Sequence, residues 1–508
     1  MFRLNSASFG LALPAMLLSS AAWADLTPTQ VWGDWRQYME GMGYGISASE
    51  NEAGGNLTVS DLTLDMPMPD EGGAVTMTMG TFEFVANGDG SVAIVMPATL
   101  PMAISATGSE TDPGFTMNLD YTQSDHTMTV SGTPESMTYA YDAGTIGLKL
   151  TELIVDGKSY GEENAKIDVV ATDFTSRTTM TIGDMRSYEQ TGQIGGVTYD
   201  LFVHNPEQTG QLAMVGSMSE LTLEGGGMIP RDNLDASDMA AMIAAGFDVS
   251  GNITFGAGNT DINFQDETEG DFAATTSSQG GDLSVEMGPG GIAYAGSQKD
   301  TKMNIKVADL PFPIDLSMAR SGFKLEAPVV KSDDPQDFAF GITLGDFVMS
   351  DMIWGIFDPT GQLPRDPATV ELDLSGQAKL LVDYMDPEAA ANLAGPPGEV
   401  NALTVNTLVV DAAGARLEGQ GDVIFDNTDQ TTFPGMPKPV GAVDLSLVGG
   451  NGLMDKLVAM GLLPEEQAMG ARMMMGLFAV PGTEPDTLSS KIEFTEDGQV
   501  LANGQRIK

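Results

Sequence analysis

The stretch ATVELDLSGQAKLLVDY, residues 368–384, decides the fold of this chain, because apolar and polar residues alternate along most of its length. The residues of the apolar parity are Val370, Leu372, Leu374, Ala378, Leu380 and Val382. Polar residues of the other parity are Glu371, Asp373, Gln377, Lys379 and Asp383, and Leu381 is an apolar exception among them. A period of two is that of a strand with one dry and one wet face. The stretch therefore predicts a long antiparallel strand.

Shorter alternating runs recur along the chain and are separated by turn dipeptides. Met303, Ile305 and Val307 form one such run, and Asp156-Gly157 and Asp497-Gly498 are typical hairpin turns. We therefore predict a mainly β fold. Its long, curved antiparallel sheet or sheets would be grooved or sandwich-like, with a few short helices packed against them.

The predicted organisation has four parts. Residues 1–24 read as a cleaved signal peptide, and residues 25–45 hold an N-terminal helix in which Thr27 and Gln30 fit a capping box. Its two tryptophans, Trp32 and Trp35, are expected to pack on the sheet. The remaining parts are a β-rich region, 46–345, with a helix near 235–245, and a C-terminal β region, 346–508. Helices are predicted in this last part near 350–357, 453–460 and 464–478.

The first residues indicate export. Arg3 precedes an apolar run from Phe9 to Leu18, and Ala22-Trp23-Ala24 fits the small-x-small rule for cleavage before Asp25. The run is too short for a stable transmembrane helix, so we expect no stable membrane anchor after cleavage. An uncleaved N-terminal anchor is the alternative interpretation.

Composition excludes several classes of function. The net charge of −48 repels nucleic acid and anionic lipid headgroups. Scattered acids favour a surface adapted to a salty medium, and a divalent-cation binder is the alternative, without an EF-hand loop to support it. The chain has no cysteine and only His126 and His204, which excludes thiol chemistry, cysteine-ligated metals and a three-histidine site. We therefore predict no cofactor and no metal.

No catalytic motif is present in the sequence. Gly157-Lys158-Ser159 fails as a phosphate loop, because the required upstream glycine is replaced by Glu152. His126 follows Asp125 beside a predicted strand, where neighbouring side chains point to opposite faces, and is read as a strand-edge residue. The prediction is that the protein is not an enzyme.

The methionine run 473–475 in the last helix allows three interpretations: filling of a core, an adaptable apolar surface, or copper(I) ligation. The first is preferred. If the sheet instead shelters an apolar ligand, the candidate contacts are the apolar parity of the long strand and the C-terminal helices. These residues are Val370, Leu372, Leu374, Leu380, Val382, Leu457, Met460 and Met473.

Several segments resemble an uncharacterised family of exported bacterial proteins, catalogued as domain of unknown function 2125. They include residues 346–354, Phe357-Asp358-Pro359, residues 362–367 and Met460-Gly461-Leu462-Leu463-Pro464. More distantly, the last 100 or so residues are similar to the C-terminal modules of AsmA- and TamB-type envelope proteins. That resemblance implies a grooved β-sheet involved in lipid movement and a bacterial envelope as its setting.

Together these features predict a periplasmic, β-rich protein of non-catalytic type that binds a lipid-like or other apolar ligand or maintains the envelope. Two alternatives stay open. An outer-membrane β-barrel fits the signal and the alternation, although the aromatic content is low at 7% and helices interrupt the pattern. A carboxylate-based envelope hydrolase would need two acids about 5–10 Å apart in a cleft, and the sequence singles out no such pair.

Overall fold

The computed structural model describes residues 25–68, 73–107, 114–204, 210–231, 238–268, 270–385 and 397–508. Its described strands form a single sheet in which every pairing is antiparallel, which confirms the predicted mainly β class. The strands of the first half are β1 Gly45–Ala53, β2 Asn56–Met68, β3 Gly73–Met79, β4 Phe82–Ala86, β5 Val92–Val95, β6 Thr99–Ala106, β7 Phe115–Ser124, β8 Thr127–Thr133, β9 Ser136–Val155, β10 Lys158–Tyr160, β11 Ala165–Ile182, β12 Met185–His204, β13 Gln211–Pro230 and β14 Asp248–Phe255. Those of the second half are β15 Gly258–Gln265, β16 Phe272–Ser278, β17 Gly281–Gly288, β18 Gly291–Val307, β19 Ile314–Ala327, β20 Gln336–Met349, β21 Ala368–Leu380, β22 Gly398–Ala412, β23 Ala415–Asp426, β24 Lys438–Val448, β25 Val480–Pro481, β26 Thr487–Phe494, β27 Val500–Ala502 and β28 Gln505–Arg506.

The sheet is a meander of long strands, and at several positions two short strands lie end to end along one long strand. For example, β14 and β15 both pair with β13, and β16 and β17 both pair with β18. From β18 to β24 each strand pairs with the next one in sequence. Because β20 contains residues 345 and 346, the sheet runs without a break across the boundary predicted there.

A row of acidic residues and glycines crosses the sheet at the level where the short strands meet end to end, and we call this row the crease. Acidic residues with left-handed backbone conformation lie in every second strand of the row and glycines lie opposite them. The row contains Asp125, Gly144, Asp173, Gly195, Glu220 and Gly256. A Cβ added at Gly195 would lie 3.0 Å from the Cβ of Asp173, so the close approach requires glycine there. A left-handed residue interrupts the period of two, and the apolar parity accordingly changes from Met214, Gly216 and Met218 to Leu221 and Leu223 along β13.

Helix α1, Pro28–Gly41, forms as predicted, with Thr27 as its N-cap and both bonds of the capping box present. The helix packs on the sheet through its tryptophans: the rings of Trp32 and Trp35 lie 6.0 and 5.4 Å from that of Phe84. Phe84 is 0% exposed. Among the described residues, both clusters of buried apolar side chains lie between Leu26 and Ile182, so the densest core is at the α1 end of the sheet.

The other described helices match the predicted positions with shifted ends. They are α2 Met239–Ala244, α3 Asp351–Phe357, α4 Gly450–Ala459 and α5 Glu465–Phe478. Helix α4 begins three residues before the predicted Leu453, directly after the left-handed Gly449, and α2 begins at Met239 rather than near 235. In α2, residues 235–237 of the predicted range lie outside the described residues, as does the predicted signal peptide, residues 1–24. In the described part of the chain, no helix combines the length and the apolar character needed to cross a membrane.

Candidate functional site

One face of the sheet is apolar at the α1 end and again from β13 to the C-terminal end, and we call it the apolar face. Directly paired residues of antiparallel strands lie on the same face, so the register traces this surface from strand to strand. One row runs from Val92 of β5 to Ala502 of β27 across seventeen strands, with Thr178, Gln190, Gly225 and Gly251 at its middle strands β11 to β14. The large apolar members of its second half are Val285, Tyr294, Leu325, Phe340, Leu374, Val405, Val443 and Ile492.

Two neighbouring rows widen the apolar face. The first contains Leu223, Ile253, Leu283, Phe323, Ile342, Leu372, Leu408 and Leu445, with Gly296 and Gly419 at two strands. The second contains Leu344, Val370, Val410, Leu417, Leu447 and Leu488. With strands about 4.8 Å apart, the surface from β13 to β24 spans about 40 Å.

The cover of this face differs between its two halves. Val92 and Val130 are fully buried in the cluster under α1, whereas Leu325 and Phe340 of the same row are 42% and 44% exposed. Phe323 and Ile342 of the neighbouring row are exposed as well. Soluble proteins rarely expose a contiguous apolar surface of this kind, and where they do it marks an interaction site.

The opposite face of the same strands is polar. Glu371 pairs with Val409 and Thr343, and Val409 pairs with Glu418. The side chain of Thr404 donates a hydrogen bond of 2.7 Å to Asp422 on this face. The acidic residues of the central strands are therefore directed away from the apolar face, which leaves that face without a carboxylate that could repel an apolar ligand.

The structure places the predicted contacts in two groups. Val370, Leu372 and Leu374 of β21 lie on the apolar face, as the alternation predicts. They are half-buried or exposed, so the prediction of a dry face is wrong for these strands. Leu380 is buried where β21 ends, and Val382 lies beyond the strand in a bend.

The second group lies in the C-terminal helices and not on the strands. Leu457 is half-buried in α4, Met460 is the C-cap of that helix, and Met473 lies on α5 with 72% of its surface exposed. Met474 is exposed too. The preferred interpretation of this run as core filling is therefore wrong for both residues, and an apolar surface describes them.

Several prominent residues of the apolar face were missed by the sequence reasoning. Phe323, Leu325, Phe340 and Ile342 occupy neighbouring positions of β19 and β20. The alternation Phe338, Phe340, Ile342, Leu344 was a signal that could have identified them.

At the α1 end, a buried polar cluster holds the helix against the apolar face. Asp34 Oδ1 accepts a hydrogen bond of 2.6 Å from Arg186 Nη2, and the hydroxyl of Tyr139 donates to Asp34 Oδ2 over 3.2 Å. Burial, followed by the charge of Asp34, raises the pKa of Tyr139 well above its ordinary value. Tyr139 therefore stays a neutral donor to the carboxylate, a structural role for the cluster.

The groups that usually carry catalysis or bind metals are dispersed. In the described part of the chain, no three His, Asp or Glu side chains come together so that they could hold a metal ion. His204 Nδ1 lies 3.3 Å from the carbonyl oxygen of Gly210 at the end of β12, and His126 precedes β8. The apolar face is thus the surface with the clearest capacity to bind something.

Comparison with known proteins adds no relative: no family model, no curated protein and no solved structure matches the chain.

Proposed function

We propose that this chain is an exported periplasmic protein that binds lipid-like ligands on its apolar face without catalysing a reaction. The observation that carries the proposal is the apolar row from Val285 to Ile492, which is exposed at Leu325 and Phe340, whereas Val92 at the other end of the sheet is buried under α1. Burying a methylene group contributes about 0.8 kcal/mol, so an acyl chain laid along such a row gains affinity with every carbon covered. The predicted export signal and the resemblance to lipid-handling envelope proteins agree with it.

The residue types on this face suit an acyl chain better than a compact polar ligand. Side chains of Leu, Val, Ile and Phe line its second half, where Tyr294 is the polar exception among the large residues of the first row. A surface about 40 Å long exceeds the roughly 15 Å thickness of one leaflet's hydrocarbon, half of a bilayer core. Several chains could therefore lie along it at once.

The test is to purify the protein from its native envelope, extract it with organic solvent and identify bound lipid by mass spectrometry. The variant carrying Leu325→Asp and Phe340→Asp should lose bound lipid at least about tenfold, because a charge on this face must be desolvated by an acyl chain. Recovery of equal lipid from this variant, or of none from the unaltered protein, would contradict the proposal.

A matched control is Ile424→Asp. Ile424 is 60% exposed but lies on the polar face, where it pairs with Ala402 and Val440. Lipid binding should be unchanged in this variant. A parallel loss would mean that added negative charge alone, rather than its position, lowers lipid recovery.

A further inference from the structure

Three helices lie at one end of the sheet. Helix α3 follows β20 and precedes β21, while α4 and α5 connect β24 with β25 and β26. The pairs Phe347–Ala368, Asp411–Thr369 and Val448–Thr487 show that all these connections leave from the same ends of their strands. We call this the helical end.

The helical end presents apolar side chains to solvent on two separate helices. In α5 Met469, Met473 and Leu477 follow the i, i+4, i+8 spacing of one helix face and all three are exposed, Met469 at 65%. In α3, Met352 and Ile356 are four residues apart and are exposed too. Two helices distant in sequence thus expose apolar stripes at the same end.

Charges at the helical end are few, and some of them are paired. Residues 450–480, which hold α4 and α5, contain three acidic and two basic residues, and residues 350–367, which hold α3, contain three acidic residues and one basic residue, in a chain whose net charge is −48. Arg472 of α5 forms an ion pair with Asp455 of α4, and Arg365 pairs with Asp351 at the start of α3. Most of the charge of the chain therefore lies elsewhere, and a surface without net charge can approach this end with little repulsion.

The helical end also borders the apolar face. The side chain of Leu447, a member of that face, lies against Gly450, the first residue of α4. A Cβ added at Gly450 would be only 2.7 Å from Leu447 Cδ2. On the other side α5 leads into β25, whose Pro481 pairs with Leu488 of the same face. The start of α4 and the segment after α5 thus lie beside the sheet surface.

We propose that the helical end docks on a zwitterionic lipid surface, with the stripes of α3 and α5 inserted at the boundary between headgroups and acyl chains. Methionine side chains are flexible and polarisable, which suits a fluid surface better than a fixed partner. This inference rests on the proposed function, because docking there would bring the apolar face next to the membrane from which a lipid is taken or to which it is given.

The test is flotation of the protein, starting at Asp25, with phosphatidylcholine vesicles. Unaltered protein should float, and the variant Met469→Glu, Met473→Glu, Leu477→Glu should bind at least about tenfold less, since each inserted side chain contributes through its buried apolar area. The conservative variant Met469→Leu, Met473→Leu should float like the unaltered protein. Circular dichroism of the glutamate variant establishes that α5 still folds.

The matched control is Met436→Glu. Met436 is 56% exposed and lies in the connection between β23 and β24, at the opposite end of the sheet. It should leave flotation unchanged. Absence of flotation in the unaltered protein, or equal loss in the control, overturns the inference. So does sedimentation analysis showing that the exposed stripes hold two copies of the chain together.

Failure of this inference can be separated from failure of the proposed function. Variants of the helical end should keep the lipid that co-purifies, and the Leu325→Asp, Phe340→Asp variant should still float. Co-purifying lipid without flotation would refute docking at the helical end and leave the binding of lipids on the apolar face intact.

Discussion

Asp34 of α1 and Arg186 of β12 form an ion pair of 2.6 Å whose two side chains are each at least 95% buried, although 152 residues separate them in sequence. The Arg186 guanidinium also lies 5.2 Å from the ring centroid of Tyr38 on the same helix. The pair therefore joins the opening helix to the middle of the chain, on the face where the tryptophans of α1 pack. A buried charge that loses its partner lowers the free energy of unfolding strongly, so substitutions at either residue should destabilise the fold.

Arg186→Met should lower the free energy of unfolding by about 3–5 kcal/mol, because it leaves the Asp34 carboxylate buried without its counter-charge. Urea denaturation followed by tryptophan fluorescence measures this, since Trp32 and Trp35 lie on the same helix. The double variant Asp34→Leu, Arg186→Met should recover part of the loss.

The matched control for the buried pair is Arg416→Met. Arg416 forms exposed ion pairs with Asp411 and Glu418, and such pairs contribute about 0–1 kcal/mol. If both arginine variants cost the same, burial is not what gives the Asp34–Arg186 pair its effect.

The uneven cover of the apolar face predicts that two phenylalanines differ in how much they contribute to the free energy of unfolding. Phe84→Ala, under α1, should destabilise the protein by about 3–5 kcal/mol, because it leaves a cavity in a closed cluster. Phe340→Ala should cost about 1 kcal/mol or less, since that side chain is 44% exposed. Thermal or urea unfolding of both variants measures the difference. Equal costs would show that Phe340 is covered in solution and that the face is not free.

The alternation of residues predicts the strands well because period two reports directly which side chains share a face. In β21, Val370, Leu372 and Leu374 could be placed on one face from sequence alone. Whether that face is covered could not be predicted, because cover depends on where a distant element packs. Helix α1 covers the sheet between β4 and β12, where its Asp34 pairs with Arg186. Phe84 and Phe340 therefore differ in exposure although they look alike in sequence.

The crease was missed for a different physical reason. Glu220 and Asp173 take left-handed backbone conformations inside strands, where an acidic residue reads simply as a polar position. In the sequence, the crease is marked by a change in which alternate positions are apolar, as between Met218 and Leu221 of β13. The helix caps, by contrast, follow from local chemistry: the capping box of Thr27 and Gln30 depends on residues three apart, so it could be predicted.

The left-handed conformation at the crease predicts an unusual tolerance for glycine. Asp173 has a φ of +52°, a conformation that glycine adopts without steric cost. This gain offsets the usual cost of glycine in a strand, so Asp173→Gly should change the free energy of unfolding by less than about 1 kcal/mol. Asp173→Val should cost about 1–2 kcal/mol or more, because a β-branched residue is strained there. Thr175→Val, two residues along β11, is the control and should be nearly neutral. A destabilising glycine with a neutral valine would contradict the assigned backbone conformation.

The hydrogen bonds of Asp486 to the start of α4 predict that its contribution to stability depends on pH. Its carboxylate accepts hydrogen bonds from the backbone N–H groups of Asn451 and Gly452 at the start of α4, at 3.1 and 2.8 Å, and a third from the side chain of Asn451. Partial burial raises the pKa of Asp486, but these hydrogen bonds and the charge of Arg472 outweigh it and hold the pKa below its ordinary value of 3.8.

Because the folded state lowers this pKa, the stabilisation is present at pH values above 3.8 and is lost as the pH falls through the folded pKa. Asp486→Ala should therefore cost about 1–2 kcal/mol at pH 7, as the loss of a helix cap does, and its difference from the unaltered protein should shrink below pH 4. Urea denaturation from pH 7 to pH 2.5 measures this difference, with Glu466→Ala, an exposed residue in the first turn of α5, as the control. A difference that stays constant over this range would show that the charge of Asp486 does not anchor α4.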